Sequence, residues 1–226
     1  SDKPAEQGVF VVGPSGAEAP LRRSDVPRLL VAILAGGVLG PLFLMYGLAG
    51  TDAAGASLLL NAEGLATMAI AWMACRENVD RRLLAGALAI LAGGVILTLG
   101  EFSTFQLGAL LIVAACVCRG VDNNVTRGIA GADPVRIAMI KGLVAGGVNI
   151  ALGMLGGASW PAPGVLATAA LTGFLGYGVS LALFVLALRH LGAARTAAYF
   201  SLAPFVGALL AVVLLDEPVT ARLIAA

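Results

Sequence analysis

Charged and polar side chains that interrupt long apolar stretches are the candidates for chemistry in this sequence. Glu63 lies in the middle of such a stretch, with Asn61 just before it and Thr67 one helical turn further along. A charge at the centre of a membrane span costs about 2.5–3.5 kcal/mol on insertion scales, so it must face protein or a water-filled cavity. We therefore predict that Glu63 lines a solute pathway, where it binds a cationic amine or takes up a proton. The alternative is a protonated carboxyl that hydrogen-bonds a neighbouring helix.

A second polar group recurs at helical spacing. Arg119, Asp122, Asn123 and Thr126 follow one another at i, i+3, i+4 and i+7, which places them on one helix face. Arg119 and Asp122 could neutralise each other, and the Asn123 amide offers both donors and an acceptor. This stripe predicts the lining of the cytoplasmic half of a cavity. A helix end near the lipid headgroups explains Asp122 and Asn123 equally well.

The other polar residues within apolar stretches support weaker predictions. Asn149 is too deep to reach the interface, so it hydrogen-bonds either another helix or a substrate. We expect Lys141, one turn into its helix, to extend to the cytoplasmic interface. Tyr177 and Ser180 share a helix face and are predicted to line the cavity, where the tyrosine could stack on a solute. Tyr199 is a further cavity candidate, although an interfacial belt of aromatic residues explains it too.

Composition decides which elements position these residues. Of the 226 residues, 59% are hydrophobic, only 12% are charged, and the net charge is +1. This excludes a disordered chain, a nucleic-acid-binding protein and an ordinary soluble enzyme. Because helices satisfy their own backbone hydrogen bonds in lipid, we predict an all-α, polytopic transmembrane helical bundle with the lipid bilayer as partner. Seven stretches are long enough, or nearly so, to span a membrane: 26–50, 53–75, 83–99, 107–126, 137–156, 165–188 and 196–215.

The distribution of basic residues predicts the orientation of the bundle. Lys and Arg are concentrated in residues 1–25 and in alternate connections between the apolar stretches. The positive-inside rule then places the N-terminal tail in the cytoplasm. We expect the membrane to be a bacterial inner (plasma) membrane. With one His, three scattered Cys and no phosphate-binding loop, the sequence predicts no metal, no cofactor and no catalytic residue, so we do not expect an enzyme.

An internal repeat is the most informative feature. The motif Gly-Val-Leu-Gly at 37–40 recurs as Gly-Phe-Leu-Gly at 173–176, and the acidic turns at Glu77 and Glu217 lie 140 positions apart. This offset spans five predicted helices, an odd number, so the two copies have opposite orientations in the membrane. Inverted repeats are typical of secondary transporters that bind substrate near the midplane.

Five segments carry a resemblance to known proteins. They are ASLLLNAEG (56–64) running into Trp72, LAGALAILAG (84–93), GVDNNVTR (120–127), ALRHLG (187–192) and AYFSLAP (198–204). The chain is similar to the drug/metabolite transporter superfamily, EamA type, whose members contain two inverted five-helix modules. Arg119 precedes Gly120 where we expect an aromatic residue, and Gly64 stands where a proline is frequent. The resemblance implies export of small metabolites, such as amino acids or related solutes, through a central cavity.

Completing both copies of the repeat would require ten helices. We therefore expect a sequence truncated at both ends: a polar tail or linker at 1–25, the last three helices of the first EamA-like module at 26–100, and the first four helices of the second at 107–226. A homodimer is one arrangement that would complete these modules. The predicted function is a secondary transporter that works by alternating access around a midplane cavity and binds a small-molecule substrate. The alternatives are a seven-helix membrane receptor and a non-transporting membrane remnant.

Overall fold

The computed structural model describes residues 19–50, 59–76 and 107–203, together with positions 56, 81, 84–86, 88, 89, 92 and 206. Most of the third predicted span, most of the second before residue 59 and the seventh beyond residue 206 lie outside these residues, as do Glu77 and Glu217 of the two acidic turns. The six helices used below are α1 (Arg23–Ala49), α2 (Ala62–Met73), α3 (Leu107–Arg127), α4 (Pro134–Leu155), α5 (Pro163–Leu191) and α6 (Ala193–Phe200).

The fold is an all-helical bundle, as the sequence predicts. Within the described ranges, α1, α3, α4 and α5 are long and apolar enough to cross a membrane. Their ends fall within three residues of the predicted ones. Two helices begin before the predicted residue because a count of apolar residues does not include their first turns. Pro134 and Pro163 occupy those first turns, where a missing N–H group costs no hydrogen bond. Asp133 caps α4 by accepting hydrogen bonds from the backbone N–H groups of Val135 and Arg136.

Both long repeat helices contain a π-helical segment. The first covers Ile33–Leu39 of α1 and the second covers Phe174–Val179 of α5, and each overlaps a copy of the Gly-rich motif. The first has a local cause. In an α-helix the carbonyl of Gly37 would accept the N–H of residue 41, which is a proline and has none. The Asn149 side chain of α4 donates to this carbonyl at 2.8 Å, which is the helix contact that the sequence offers as one of its two roles.

Helix α3 is the centre of the bundle and packs against α1, α2, α5 and α6, while α4 packs against α1 and α5. The backbones of α2 and α3 approach each other closely because Gly120 has no side chain. A Cβ on Gly120 would lie 3.1 Å from the backbone N of Thr67. Gly142 and Gly146, whose spacing predicts a similar contact, meet nothing within 4 Å among the described residues.

A buried apolar cluster fills the bundle end next to the α3–α4 turn. Ile129 and Ala130 of this turn pack with Ala193 and Ala194 at the start of α6. Arg189 at the end of α5 donates from Nε to the carbonyl of Ala130 at 2.5 Å, and its Nη2 donates to a second turn carbonyl at 2.6 Å. The turn is therefore held against α5 by a charged donor as well as by apolar contact.

Candidate functional site

Two adjoining cavities lie in the bundle beside the polar face of α3. The first cavity has a volume of about 260 Å³ and is lined by residues of α1, α2, α3, α5 and α6 and by the turn after α6. The second cavity has a volume of about 200 Å³ and lies between the two π-helical segments, with Gly36 on one side and Tyr177 on the other. Both cavities share five lining residues, which are Glu63, Arg119, Asn123, Phe184 and Phe200.

An ion pair forms the polar part of the shared wall. The Nη1 of Arg119 lies 3.2 Å from Oε2 of Glu63, and the two side chains are 34% and 17% exposed. This joins α2 to α3 and offers one anionic and one cationic group to the same space. Within the described structure, the buried Nε of Arg119 has no hydrogen-bond partner. Arg119 and Asp122 could have neutralised each other along α3, but here the Glu63 carboxylate on α2 accepts the hydrogen bond of Arg119.

Asp122 instead pairs with Lys141 of α4. The Lys141 Nζ lies 2.5 Å from Oδ1 of Asp122 and 3.1 Å from Oγ1 of Thr126, and this hydroxyl donates to the same carboxylate oxygen at 2.8 Å. The Lys141 side chain is only 2% exposed. The predicted extension of Lys141 to the interface is therefore wrong, because a carboxylate inside the bundle satisfies the ammonium group. Asp122 reaches the second cavity from this pair.

Amide side chains complete the contact between α2 and α3. Asn123 donates to Oγ1 of Thr67 at 3.1 Å, and Asn124 donates both to the Thr67 carbonyl at 3.0 Å and to the Gly120 carbonyl at 2.8 Å. These bonds lock the register of α2 on α3, so they fix where Glu63 meets Arg119. Sequence analysis missed Asn124. The signal that could have found it is Gly120, which opens a close backbone approach one turn before it.

The structure brings most of the sequence-predicted site residues together. Asn61 lines the first cavity, and Tyr177 and Ser180 line the second. Asn149 lies outside both, and Tyr199 is 66% exposed and lines neither.

Two aromatic residues of the site escaped sequence analysis. Phe184 and Phe200 form an edge-to-face pair with ring centroids 5.3 Å apart and an interplanar angle of 70°. Helical spacing could have found Phe184, which follows Tyr177 by seven positions and Ser180 by four and so shares their face. No group of His, Cys, Asp and Glu in the described residues could hold a metal ion.

A bundle of apolar helices that buries charged pairs beside a central cavity defines an integral membrane protein with a polar site inside the membrane. The chain belongs to the EamA-like transporter family, which it matches over residues 9–99 and 106–226. It is 30% identical over 210 residues to an uncharacterized transporter of Methanothermobacter thermautotrophicus, covering 89% of this chain and 61% of that protein. The chain thus spans about three fifths of the length of this curated relative.

A solved crystal structure has the same fold. It matches with a TM-score of 0.71 and 19% sequence identity, covering 88% of this chain and 82% of the other. The helical arrangement described above is therefore one that occurs in a protein of experimentally known structure.

Proposed function

We propose that this protein is a secondary transporter that exports small metabolites, such as amino acids or related solutes, by alternating access around the two cavities. The observation that carries the proposal is the Glu63–Arg119 pair. It lies in an apolar bundle where unpaired charge is costly, yet both side chains keep contact with the cavities. A structural brace has no need of this access.

The chemistry of the pair supports a zwitterionic solute. Glu63 can accept hydrogen bonds from an ammonium group, and the Arg119 guanidinium, whose side chain is 34% exposed, can donate to a carboxylate. The remaining walls are mostly apolar and aromatic, with Leu44, Leu60 and Phe184 around the first cavity. A solute with one amine, one acid and an apolar body complements this lining.

The two π-helical segments support the alternating-access part of the proposal. They interrupt α1 and α5, the two helices that carry the repeated Gly-rich motif, and Gly36 and Gly176 from them line the second cavity. Irregular helix is tolerated in membranes where it lines a cavity, and transporters with inverted repeats bind substrate at such breaks. We extend the proposal to a bacterial inner membrane, a cytoplasmic N-terminal tail and a homodimer, on the charge pattern and repeat of the sequence.

The test is counterflow of radiolabelled amino acids into proteoliposomes that contain the full chain. We expect exchange by the wild type and a loss of at least tenfold in Glu63→Gln. Because one substitution leaves an unpaired charge that could disturb folding, the deciding variant is the double Glu63→Gln/Arg119→Gln, which removes both charges together. Arg195→Gln, at an exposed position outside both cavities, is the control and keeps wild-type exchange.

The outcomes separate the competing functions. Full exchange by the double variant would make the pair a structural tie and contradict the proposal. Saturable binding of an amino acid by the wild type without any exchange would support a receptor or a non-transporting remnant instead. Efflux from preloaded cells that depends on Glu63 would support the export direction.

A further inference from the structure

The two cavities share one boundary. The five lining residues common to both cavities combine the Glu63–Arg119 ion pair with the aromatic pair Phe184 and Phe200. The first cavity continues from this boundary towards Ser201 and the second towards Ser180. The space beside α3 therefore contains two cavities with a common wall, to which the two ion-paired and the two aromatic residues belong.

The two aromatic rings differ in how firmly the protein holds them. Phe184 is half-buried on α5 and packs against the main apolar cluster. Phe200 is 45% exposed and is the last residue of α6, next to a turn at Ser201. The rings touch edge to face, a favourable geometry that the rotation of either ring disrupts. Phe184 is therefore the fixed half of the boundary, and Phe200 is the half that can move.

We propose that the Phe184–Phe200 pair is a partition that sets the upper size of the transported solute. The inference rests on the proposed function, because it assumes that solutes pass from one cavity to the other. Each cavity alone, at about 260 Å³ and 200 Å³, accommodates a small solute beside the ion pair. A solute with a large side chain must occupy both cavities, and it must first separate the two rings. Removing the Phe184 ring joins the cavities without touching either charge.

A size series tests this in the same proteoliposomes. The probes are glycine, alanine, leucine, phenylalanine and tryptophan, which share the charged groups and differ in side-chain size. We expect Phe184→Ala to raise the ratio of tryptophan to alanine exchange at least tenfold over the wild type. The matched control is Phe174→Ala, on the same helix but 66% exposed and outside both cavities, which we expect to stay within twofold. An unchanged ratio in Phe184→Ala, with alanine exchange intact, overturns the partition.

A second measurement does not depend on transport and uses cysteines on opposite sides of the boundary. Ser180→Cys and Ser201→Cys are combined in a chain whose three native cysteines are replaced by serine, and a short bifunctional thiosulfonate is added. Intact mass distinguishes one bridging molecule from two separate adducts. With the Phe184 ring present we expect mainly separate adducts, and Phe184→Ala should raise the bridged product at least tenfold.

The two measurements can contradict the proposed function and the partition independently of each other. If the wild type exchanges none of the probes, the proposed function is contradicted, while the bridging ratio still decides whether the rings divide the space. Equal bridging with and without the Phe184 ring overturns the partition whatever the transport result. Phe184→Leu keeps an apolar side chain in the core but removes the ring, so it is the variant to use if Phe184→Ala does not fold. It should give an intermediate change in both the exchange ratio and the yield of bridged product.

Discussion

The buried pair of Lys141 and Asp122 allows the sharpest test of the structure. Lys141→Met keeps a long apolar side chain on α4 and removes its charge. Among the described residues, the hydroxyl of Thr126 then remains as the side-chain donor to the Asp122 carboxylate, whose side chain is 12% exposed. The substitution thus leaves a charge inside the bundle without a counter-ion.

The expected loss of stability follows from this burial. Removing one partner of a buried pair costs about 3–5 kcal/mol, mostly because the remaining charge is uncompensated. For a chain of this size, about 2–4 °C of melting temperature corresponds to each kcal/mol, so we expect a drop of about 10 °C. The double variant Lys141→Met/Asp122→Asn contains neither charge and should recover most of the loss. Arg119→Met should cost less, about 1–2 kcal/mol, because its side chain and that of Glu63 retain more solvent contact.

The assay is thermal unfolding in detergent, followed by a fluorogenic thiol dye. Cys116 is 1% exposed and reports unfolding once Cys75 and Cys118 are replaced by serine. A melting temperature of Lys141→Met within 2 °C of the parent would refute the reasoning. So would a double variant that melts as low as the single one, because the loss would then come from packing rather than from unpaired charge.

The same melting assay checks the first two of three further predictions, and thiol labelling checks the third. Gly36→Ala should destabilise the protein by several degrees, since its Cβ would collide with a carboxyl group of α3, whereas Gly142→Ala, with open space around it, should be neutral or stabilising. The reverse order would contradict the helix packing. Asn149→Leu should cost about 1–3 kcal/mol because it leaves the Gly37 carbonyl unpaired, and an unchanged melting temperature would argue against this bond. Arg189→Ala should make a cysteine introduced into the α3–α4 turn react with a maleimide at least tenfold faster than in the parent, and equal rates would show that the turn does not depend on this arginine.

The sequence by itself determined the helices, because in lipid each helix satisfies its own backbone and local composition is enough to mark a span. It also marked the unusual positions within them. Glu63 and the stripe from Arg119 to Thr126 are polar residues in apolar helices, and such residues must face protein or a cavity. Helical spacing assigned Tyr177 and Ser180 to one face, and both line the second cavity.

Only the tertiary structure decided which of these residues meet. Spacing on α3 made Arg119 a partner for Asp122, but each pairs with a charge on another helix, Glu63 on α2 and Lys141 on α4. A residue's own helix cannot reveal such partners, because they depend on how far one helix is shifted and rotated against the next. The position of α2 against α3 is fixed by the close contact at Gly120. The position of α4 against α1 is fixed by the hydrogen bond from Asn149 to the carbonyl of Gly37. Pairing between helices is a property of their packing, and periodicity along one chain segment contains no information about it.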